Sequence, residues 1–268
     1  MLKKKKIIII CIILFLVFAL LCVLILQKDI RITPFFAARY ELNGIDVSHY
    51  QGDIDWGKIE EQGIDFAFIK ATEGSSYVDS CFEENWNEAG QTSLMSGAYH
   101  FFSFDSDGKT QAEHFIDTVG NLQGKLTPVI DVEYYGDKEK NPPHKKDVQT
   151  QLAVMLDLLE EHYHAKPIIY TTYKAYRDFI KGEFSGYPLW IRNVYYPPVV
   201  IEWTFWQYTD RAVLNGYHGS EKYIDRNVFY GPREELERLI ISDKTEEIQV
   251  SKHMFTKEEV FVLSEEPD

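Results

Sequence analysis

The chain has 268 residues, of which 45% are hydrophobic, which is typical of a globular protein and allows one large domain. Acidic residues number 42 against 28 basic ones, for a net charge of −14. Residues 1–31 contain six basic residues and one acidic residue, so the remainder carries −19. Such a surface repels phosphate groups, so we expect no nucleic-acid partner.

The first 26 residues have the composition of a membrane-spanning segment. The lysines Lys3–Lys6 precede Ile7–Leu26, twenty residues without a charge. That length spans a bilayer, and the lysines favour the cytoplasmic side. A cleaved signal peptide would have a shorter apolar core and a small-residue site directly after it, whereas Ala37-Ala38 is distant. We therefore expect that the segment stays attached as a membrane anchor and that the rest of the chain lies on the non-cytoplasmic side. If the segment is cleaved, the protein is secreted.

The rest of the chain divides into three regions by pattern. Residues 27–41 are predicted to be a linker, and residues 42–242 alternate between apolar strand and helix patterns. Residues 243–268 are charged and irregular apart from Val260–Leu263, and we interpret them as a C-terminal extension with room for one added strand.

Eight strands and six helices are predicted between residues 42 and 242. The strands are predicted at 43–49, 66–71, 96–104, 127–134, 167–172, 188–193, 204–208 and 223–229. The helices are predicted at 53–63, 79–91, 109–119, 145–163, 174–181 and 232–241.

This order of elements predicts an α/β fold. Alternating strands and helices favour a parallel sheet, and eight strands favour a closed, TIM-like barrel in which five strand–helix units precede three strands with few or no helices. An open doubly wound sheet is the competing architecture. It is disfavoured because no Gly-x-Gly-x-x-Gly turn follows the first strand.

The fourth strand carries two carboxylates, Asp131 and Glu133, at its downstream end. Side chains two residues apart point to the same side of a strand, so both carboxylates share one face while Ile130 and Val132 take the other. Two carboxylates on one face are costly unless water or a ligand meets them. A half-exposed strand with a polar outer face is the alternative, but the apolar entry Pro128-Val129-Ile130 favours a strand buried on both faces.

Carboxylates and aromatic rings dominate the predicted downstream strand ends, where parallel barrels hold their active sites. Aromatic faces suit the C–H faces of sugars, and paired carboxylates suit cleavage of a glycosidic bond. The residues that we select as candidates for the site are Asp46, Tyr99, Asp131, Glu133, Tyr134, Tyr170, Trp190, Arg192, Trp206, Gln207 and Asp225.

Six motifs occur in the order found in glycoside hydrolase family 25, the Chalaropsis-type lysozymes, and together they resemble that family over roughly residues 42–240. The motifs are Gly44–Gly52, Phe68–Gly74, Gly97–Phe101, Asp131–Glu133, Trp206–Tyr208 and Asp225–Asn227.

The resemblance implies an N-acetylmuramidase that cleaves the β-1,4 bond between N-acetylmuramic acid and N-acetylglucosamine in peptidoglycan. It implies Glu133 as general acid and Asp131 as support for the substrate's acetamido group, with Asp46 and Asp225 at the cleft floor. It implies no metal, and we expect no cofactor and a monomer. The like charges of Asp131 and Asp46 should raise the pKa of Glu133 and keep it protonated.

Substrate contacts are expected from Tyr99, Tyr134, Tyr170, Trp190, Arg192, Trp206 and Gln207. Trp190 and Trp206 could each belong to the core or to the cleft. Arg192 departs from the family, which usually has a small residue after Trp-Ile, so it could contact substrate or pair with a barrel carboxylate.

Three other readings compete with this one. His49 and His100 could bind a metal with Asp46, but no His-x-x-x-His pair exists, and three cysteines without metal-site spacing do not suggest one. Lys70 and Glu73 could be catalytic, but a structural ion pair inside the barrel is expected. A non-catalytic barrel that binds cell-wall glycan is the alternative function, although it has little use for both Asp131 and Glu133.

Overall fold

The computed structural model of the protein describes residues 2–26, 31–199 and 201–242. The predicted extension at 243–268, and residues 27–30 of the predicted linker, lie outside the described residues. Within the described residues eight strands close into a barrel, as predicted. They are β1 Asn43–Val47, β2 Phe66–Glu73, β3 Met95–Phe101, β4 Val129–Val132, β5 Ile168–Thr172, β6 Leu189–Arg192, β7 Phe205–Ala212 and β8 Ile224–Phe229.

Strands β1 to β7 run parallel, each paired with the next. The last strand, β8, closes the barrel between β7 and β1 and runs antiparallel to both. Its direction departs from the parallel arrangement that the alternating pattern predicts. Because β8 is reversed, its start lies at the same end of the barrel, the mouth, as the downstream ends of β1 to β7.

A helix follows each of β1 to β5, which confirms five strand–helix units. These helices are α3 Trp56–Glu60, α4 Phe82–Ala89, α5 Gly108–Val119, α6 Lys145–Tyr163 and α7 Tyr173–Ala175, the last continued by a π-helical turn at Tyr176–Ile180. The described residues between β6 and β7 form no helix, and α8 Arg233–Glu237 follows β8. Shorter elements are a 3₁₀ turn at His49–Gln51 and two-residue strands at Asp53–Ile54, Tyr77–Val78 and Tyr217–His218.

Helix boundaries follow from capping and apolar spacing. The Asp107 side chain accepts from the backbone N–H groups of Lys109 and Thr110 at the start of α5, and Gly120 ends that helix with a φ of 68°. In α6, Leu152 and Leu156 lie one turn apart and are fully buried. The capping signals explain why the observed start of α5 lies within one residue of the predicted one, and the predicted bounds of α6 match the observed ones.

Two apolar layers result from the alternation of side chains along the strands. The barrel interior is filled by aromatic rings, among them Phe66, Phe68 and Phe205, whose ring centres lie 5.2–5.9 Å apart. The outward-facing residues, such as Ile130, pack against the helices. Gly44 is required in β1 because a Cβ there would overlap the Phe66 ring.

The N-terminal region contains two helices. The first, α1 Leu2–Leu26, has a mean hydropathy of 3.7 over Lys4–Leu24, and by length and composition it could span a membrane. The second, α2 Thr33–Ala37, packs against β6, β7 and β8 and buries both Thr33 and Ala37. The described part of the predicted linker is therefore a folded part of the barrel surface.

Candidate active site

A cleft crosses the mouth of the barrel in two adjoining halves. The first half, about 320 Å³, is lined by Asp46, Tyr99, Asp131 and Trp190 among others. The second half, about 770 Å³, is lined among others by Tyr134, Tyr173, Lys174, Arg192 and Tyr195. Three residues line both halves, namely Glu133, Tyr170 and Asp225. A chain-like ligand that occupies both halves would pass Glu133 where they meet.

Strand β4 sets the positions of Asp131 and Glu133. Ile130 and Val132 are fully buried against the helices, so Asp131 between them faces the barrel interior. Glu133 directly follows the strand and is less buried than Asp131. The Oδ1 atom of Asp131 is buried and has no hydrogen-bond partner among the described residues. A ligand N–H group in the cleft would satisfy it.

The floor of the cleft holds two further carboxylates in an amide network. Gln207 Nε2 donates to Asp46 Oδ2 at 2.9 Å and to Asp225 Oδ2 at 3.1 Å. Asn227 Nδ2 donates to Asp46 Oδ2 at 2.7 Å. The amide oxygens accept in turn from Tyr170 and Trp190, at 3.0 and 2.9 Å. Because these bonds occupy the amide oxygens, the amide nitrogens are turned towards the carboxylates.

Burial raises the pKa of all four carboxyl groups. For Asp131 the pKa lies well above its ordinary value, first through burial and then through the negative charge of Glu133. Burial also raises the pKa of Glu133, while the Arg192 charge lowers it. Burial raises the pKa of Asp46, although the hydrogen bonds from Asn227 and Gln207 lower it. Burial and the charge of Asp46 raise the pKa of Asp225 to about 9. The pKa of Glu133 is therefore raised in the predicted direction, but burial is the largest cause, and of the two predicted carboxylate charges that of Asp46 contributes whereas that of Asp131 does not.

Most of the predicted substrate contacts lie at the cleft. Tyr99 lines the first half, and Tyr134 and Arg192 line the second. Tyr134 also donates a hydrogen bond to Asp178 Oδ2 at 3.0 Å. Gln207 is buried beneath the cleft and acts on the carboxylates of Asp46 and Asp225.

The structure does not bring Trp206 to the cleft. It lies on the outer face of β7, fully buried, where its ring contacts Tyr40 and Trp203 and its Nε1 donates to the Asn193 carbonyl oxygen at 2.9 Å. Alternation along the strand explains this placement, because Gln207 faces the interior and its neighbour must face outward. Of the two tryptophans, Trp190 packs in the barrel interior with 2% of its surface exposed and lines the first half of the cleft, whereas Trp206 lies in the outer core.

The competing readings of the histidines and of Lys70 are resolved by their contacts. Lys70 Nζ lies 2.7 Å from Glu73 Oε2, which is the predicted ion pair. His100 is buried between Thr72 and Gln111, and burial lowers its pKa to about 3. Among the described residues no cluster of His, Cys, Asp or Glu side chains has the form of a metal site. His100 is therefore a structural group.

Sequence reasoning missed Asp210, which pairs with Arg192 at 2.8 Å and lines the first half of the cleft. The pattern predicts that β7 ends at Tyr208, because charged residues follow. The strand continues to Ala212 through pairs with β8 whose register shifts twice. Asp210 lies three residues after Gln207, so strict alternation along the strand predicts the opposite face for it, and the sequence carried no signal that it reaches the cleft.

A barrel with paired buried carboxylates between two aromatic-lined halves of a cleft defines a glycoside hydrolase. Comparison with known proteins agrees. Residues 45–217 match glycosyl hydrolases family 25. The chain belongs to this family.

Three relatives show the extent of the similarity. The uncharacterized protein YegX of Escherichia coli O157:H7 is 37% identical over 211 residues, 76% of this chain and 75% of that protein. Lysozyme M1 of Streptomyces globisporus is 33% identical over 210 residues, 71% of this chain and 68% of that protein. The structure of a family 25 glycosyl hydrolase from Bacillus anthracis is 54% identical, with a TM-score of 0.71, and covers 75% of this chain and 94% of that one. The chain is therefore a glycoside hydrolase with lysozyme relatives.

Proposed function

We propose that the protein is a muramidase that hydrolyses the β-1,4 bond between N-acetylmuramic acid and N-acetylglucosamine in peptidoglycan. The observation that carries this proposal is the position of Glu133, where the two halves of the cleft meet, beside the buried Asp131. A polymer bound across both halves places one sugar on each side of Glu133. The lysozyme relatives support the substrate class.

Glu133 is the general acid in this mechanism. Burial raises its pKa, which favours the protonated carboxyl group, and Glu133 gives that proton to the glycosidic oxygen as the C–O bond breaks. The carbonyl oxygen of the substrate's own acetamido group attacks the anomeric carbon, and the Asp131 carboxyl with its unpartnered Oδ1 accepts from the acetamido N–H. Water then opens the cyclic intermediate and returns a proton to Glu133. Two displacements at one carbon retain its configuration.

Asp46 and Asp225 form the floor that keeps this pair in place. Their side chains are held by Gln207, and the charge of Asp46 contributes to the raised pKa of Glu133. Tyr99, Tyr134, Tyr170 and Trp190 supply faces and hydroxyls for the sugars. Roles for all these residues are part of the proposal.

The N-terminal helix α1 is proposed to anchor the barrel outside the cytoplasm. The helix is apolar enough either for an anchor or for a signal peptide. Cleavage after Ala37 would remove α2, whose residues Thr33 and Ala37 are buried against the barrel. An uncleaved N-terminus fits this packing. N-terminal sequencing of the protein from membranes tests it, and a mature chain beginning after residue 30 in the soluble fraction would contradict it.

Product analysis separates the proposed reaction from its alternatives. Purified peptidoglycan is digested with the full chain, and the fragments are analysed by mass after reduction of their new ends. Reduced muramic acid is the expected end. Reduced glucosamine would indicate a glucosaminidase, and binding without new ends would indicate a non-catalytic glycan-binding barrel.

A further inference from the structure

Two residues at the start of the described region around α2, Arg31 and Thr33, contact residues that line the cleft. The guanidinium of Arg31 forms an ion pair with Asp210 Oδ1 and lies 5.1 Å from the ring centre of Tyr195. Two residues later, Thr33 Oγ1 donates to the Val194 carbonyl oxygen at 3.1 Å. Arg31 and Thr33 precede residues 45–217, over which the family matches. The contacts therefore come from a part of this chain outside the family match.

Asp210 holds two arginines at once. Its Oδ1 pairs with Arg31, and its Oδ2 accepts from Arg192 Nη2 at 2.8 Å. The side chains of Arg31, Asp210 and Arg192 are 11%, 25% and 31% exposed. Water therefore screens this triad less than it screens a pair on the open surface. Arg31 fixes Asp210 from one side, and Asp210 fixes Arg192 from the other.

Arg192 can bind a further group while it is held in this way. A guanidinium carries five N–H donors, and the bond to Asp210 uses Nη2. The side chain lines the second half of the cleft, next to Glu133 and Asp225. The other cation lining that half is Lys174, whose Nζ lies over the Tyr134 ring at 3.9 Å.

The chemistry of this half suits an anionic substituent. A planar guanidinium recognises carboxylates through paired, charge-assisted hydrogen bonds. Peptidoglycan carries such carboxylates on the peptides attached to its muramic acid residues. A carboxylate can approach this acidic mouth only where a cation is already fixed to meet it.

We propose that Arg31 is a positioning residue for substrate: through Asp210 it holds the Arg192 guanidinium in the second half of the cleft, where Arg192 binds a carboxylate of the stem peptide. The inference rests on the proposed function for its substrate class. Because Arg31 does not touch the reacting atoms, its loss weakens substrate binding and leaves the chemical step intact.

The test uses the full-length chain in detergent micelles and soluble peptidoglycan fragments that carry stem peptides. We expect Arg192→Gln to raise KM about tenfold, the effect of losing one charge-assisted hydrogen bond, with kcat within about twofold. Arg31→Gln should also raise KM, but by less than Arg192→Gln does. Arg31→Lys should bring KM part of the way back to the value of the parent chain. The double variant should match Arg192→Gln alone. Independent, additive effects in the double variant would overturn the claim that Arg31 acts through Arg192.

Arg39→Gln is the matched control, because Arg39 is an exposed arginine just after α2 and donates to the Tyr40 hydroxyl at 2.8 Å. Its KM should equal that of the parent chain. An Arg31→Gln variant with a lower melting temperature and an unchanged KM would show a merely structural role and refute the proposal.

Fragments whose stem carboxylates are amidated test what Arg192 binds. On these fragments the parent chain and Arg192→Gln should have the same KM, and a persisting difference would refute recognition of a carboxylate. If the parent chain releases no reducing ends from any fragment, the proposed function itself has failed, and this result is distinct from every outcome of the arginine comparison.

Discussion

Asp46 and Asp225 face each other on adjacent antiparallel strands, and one amide nitrogen, Nε2 of Gln207, donates to both carboxyl groups. Directly opposed acidic side chains destabilise a sheet unless a donor or a proton stands between them. The donor here is Gln207, and burial and the charge of Asp46 raise the pKa of Asp225 to about 9, which favours its protonated form. The pair shares one amide donor at the floor of the cleft.

Replacing the bridging amide should destabilise the fold. In Gln207→Leu the two carboxyl groups lose their common donor, and we expect a loss of about 1–3 kcal/mol in the free energy of unfolding. Denaturant unfolding measures it. Gln91→Leu, at an exposed position, is the control and should change little. Equal stability of the two variants would contradict the role given to Gln207.

Stability should fall as pH rises between about 4 and 9, in part because of Asp225. Its folded pKa of about 9 exceeds the ordinary 3.8, so the folded state holds the proton more tightly than the unfolded state. The stabilisation that Asp225 contributes is fully present below pH 3.8 and is lost as the pH rises through about 9. One such group changes stability by at most about 1.4 kcal/mol per pH unit.

Asp225→Asn removes that titration, so its unfolding free energy should vary less with pH over the same window. Asp117→Asn, at an exposed site on α5, should keep the parent's slope. An unchanged slope in Asp225→Asn would show that Asp225 is already ionised at neutral pH.

The antiparallel strand β8 shows what the sequence could and could not predict. The strand itself was predicted at residues 223–229, and its motif marked Asp225 and Asn227. Local pattern does not determine strand direction, which depends on how the chain crosses the barrel to reach the gap between β7 and β1. Asp225 is near the start of β8, so it reaches the mouth only because the strand is reversed.

The two tryptophans should respond differently to the same substitution. Trp206→Phe removes an outer-core contact and a hydrogen bond to Asn193, so we expect about 2 kcal/mol lower stability with unchanged KM. Trp190→Phe removes a cleft wall and the donor to Asn227, so kcat/KM should fall about tenfold. Parallel measurements of KM and unfolding separate them. A raised KM in Trp206→Phe would show that Trp206 contacts substrate, which contradicts its assignment to the outer core.

The alkaline limit of activity should depend on Arg192. Burial raises the pKa of Glu133, and the Arg192 charge opposes that rise. Activity is lost as pH rises through this pKa, because the acid then lacks its proton. In Arg192→Gln the descending limb of the pH profile of kcat should move to higher pH. Arg177→Gln, at an exposed position of the π-helical turn, is the control and should leave that limb in place. A shift to lower pH would contradict the assignment.

The ion pair between Arg31 and Asp210 could not be predicted from the sequence for a different reason. Arg31 lies in the predicted linker, shortly after the apolar run, and nothing local marks it as a partner of Asp210, 179 residues away. The fourth strand, by contrast, carries its own signal in Asp131 and Glu133 among apolar neighbours. Motifs within one strand are visible in sequence, whereas ion pairs between distant segments require the fold.

The release of reducing ends from peptidoglycan by Glu133→Gln tests the central claim most directly. The glutamine keeps the shape of the side chain and cannot donate the acid's proton, so turnover should fall at least about a hundredfold while the unfolding transition is retained. Glu88→Gln, at an exposed position on α4, should keep the parent rate. Turnover by Glu133→Gln at the parent rate would show that Glu133 is not the acid.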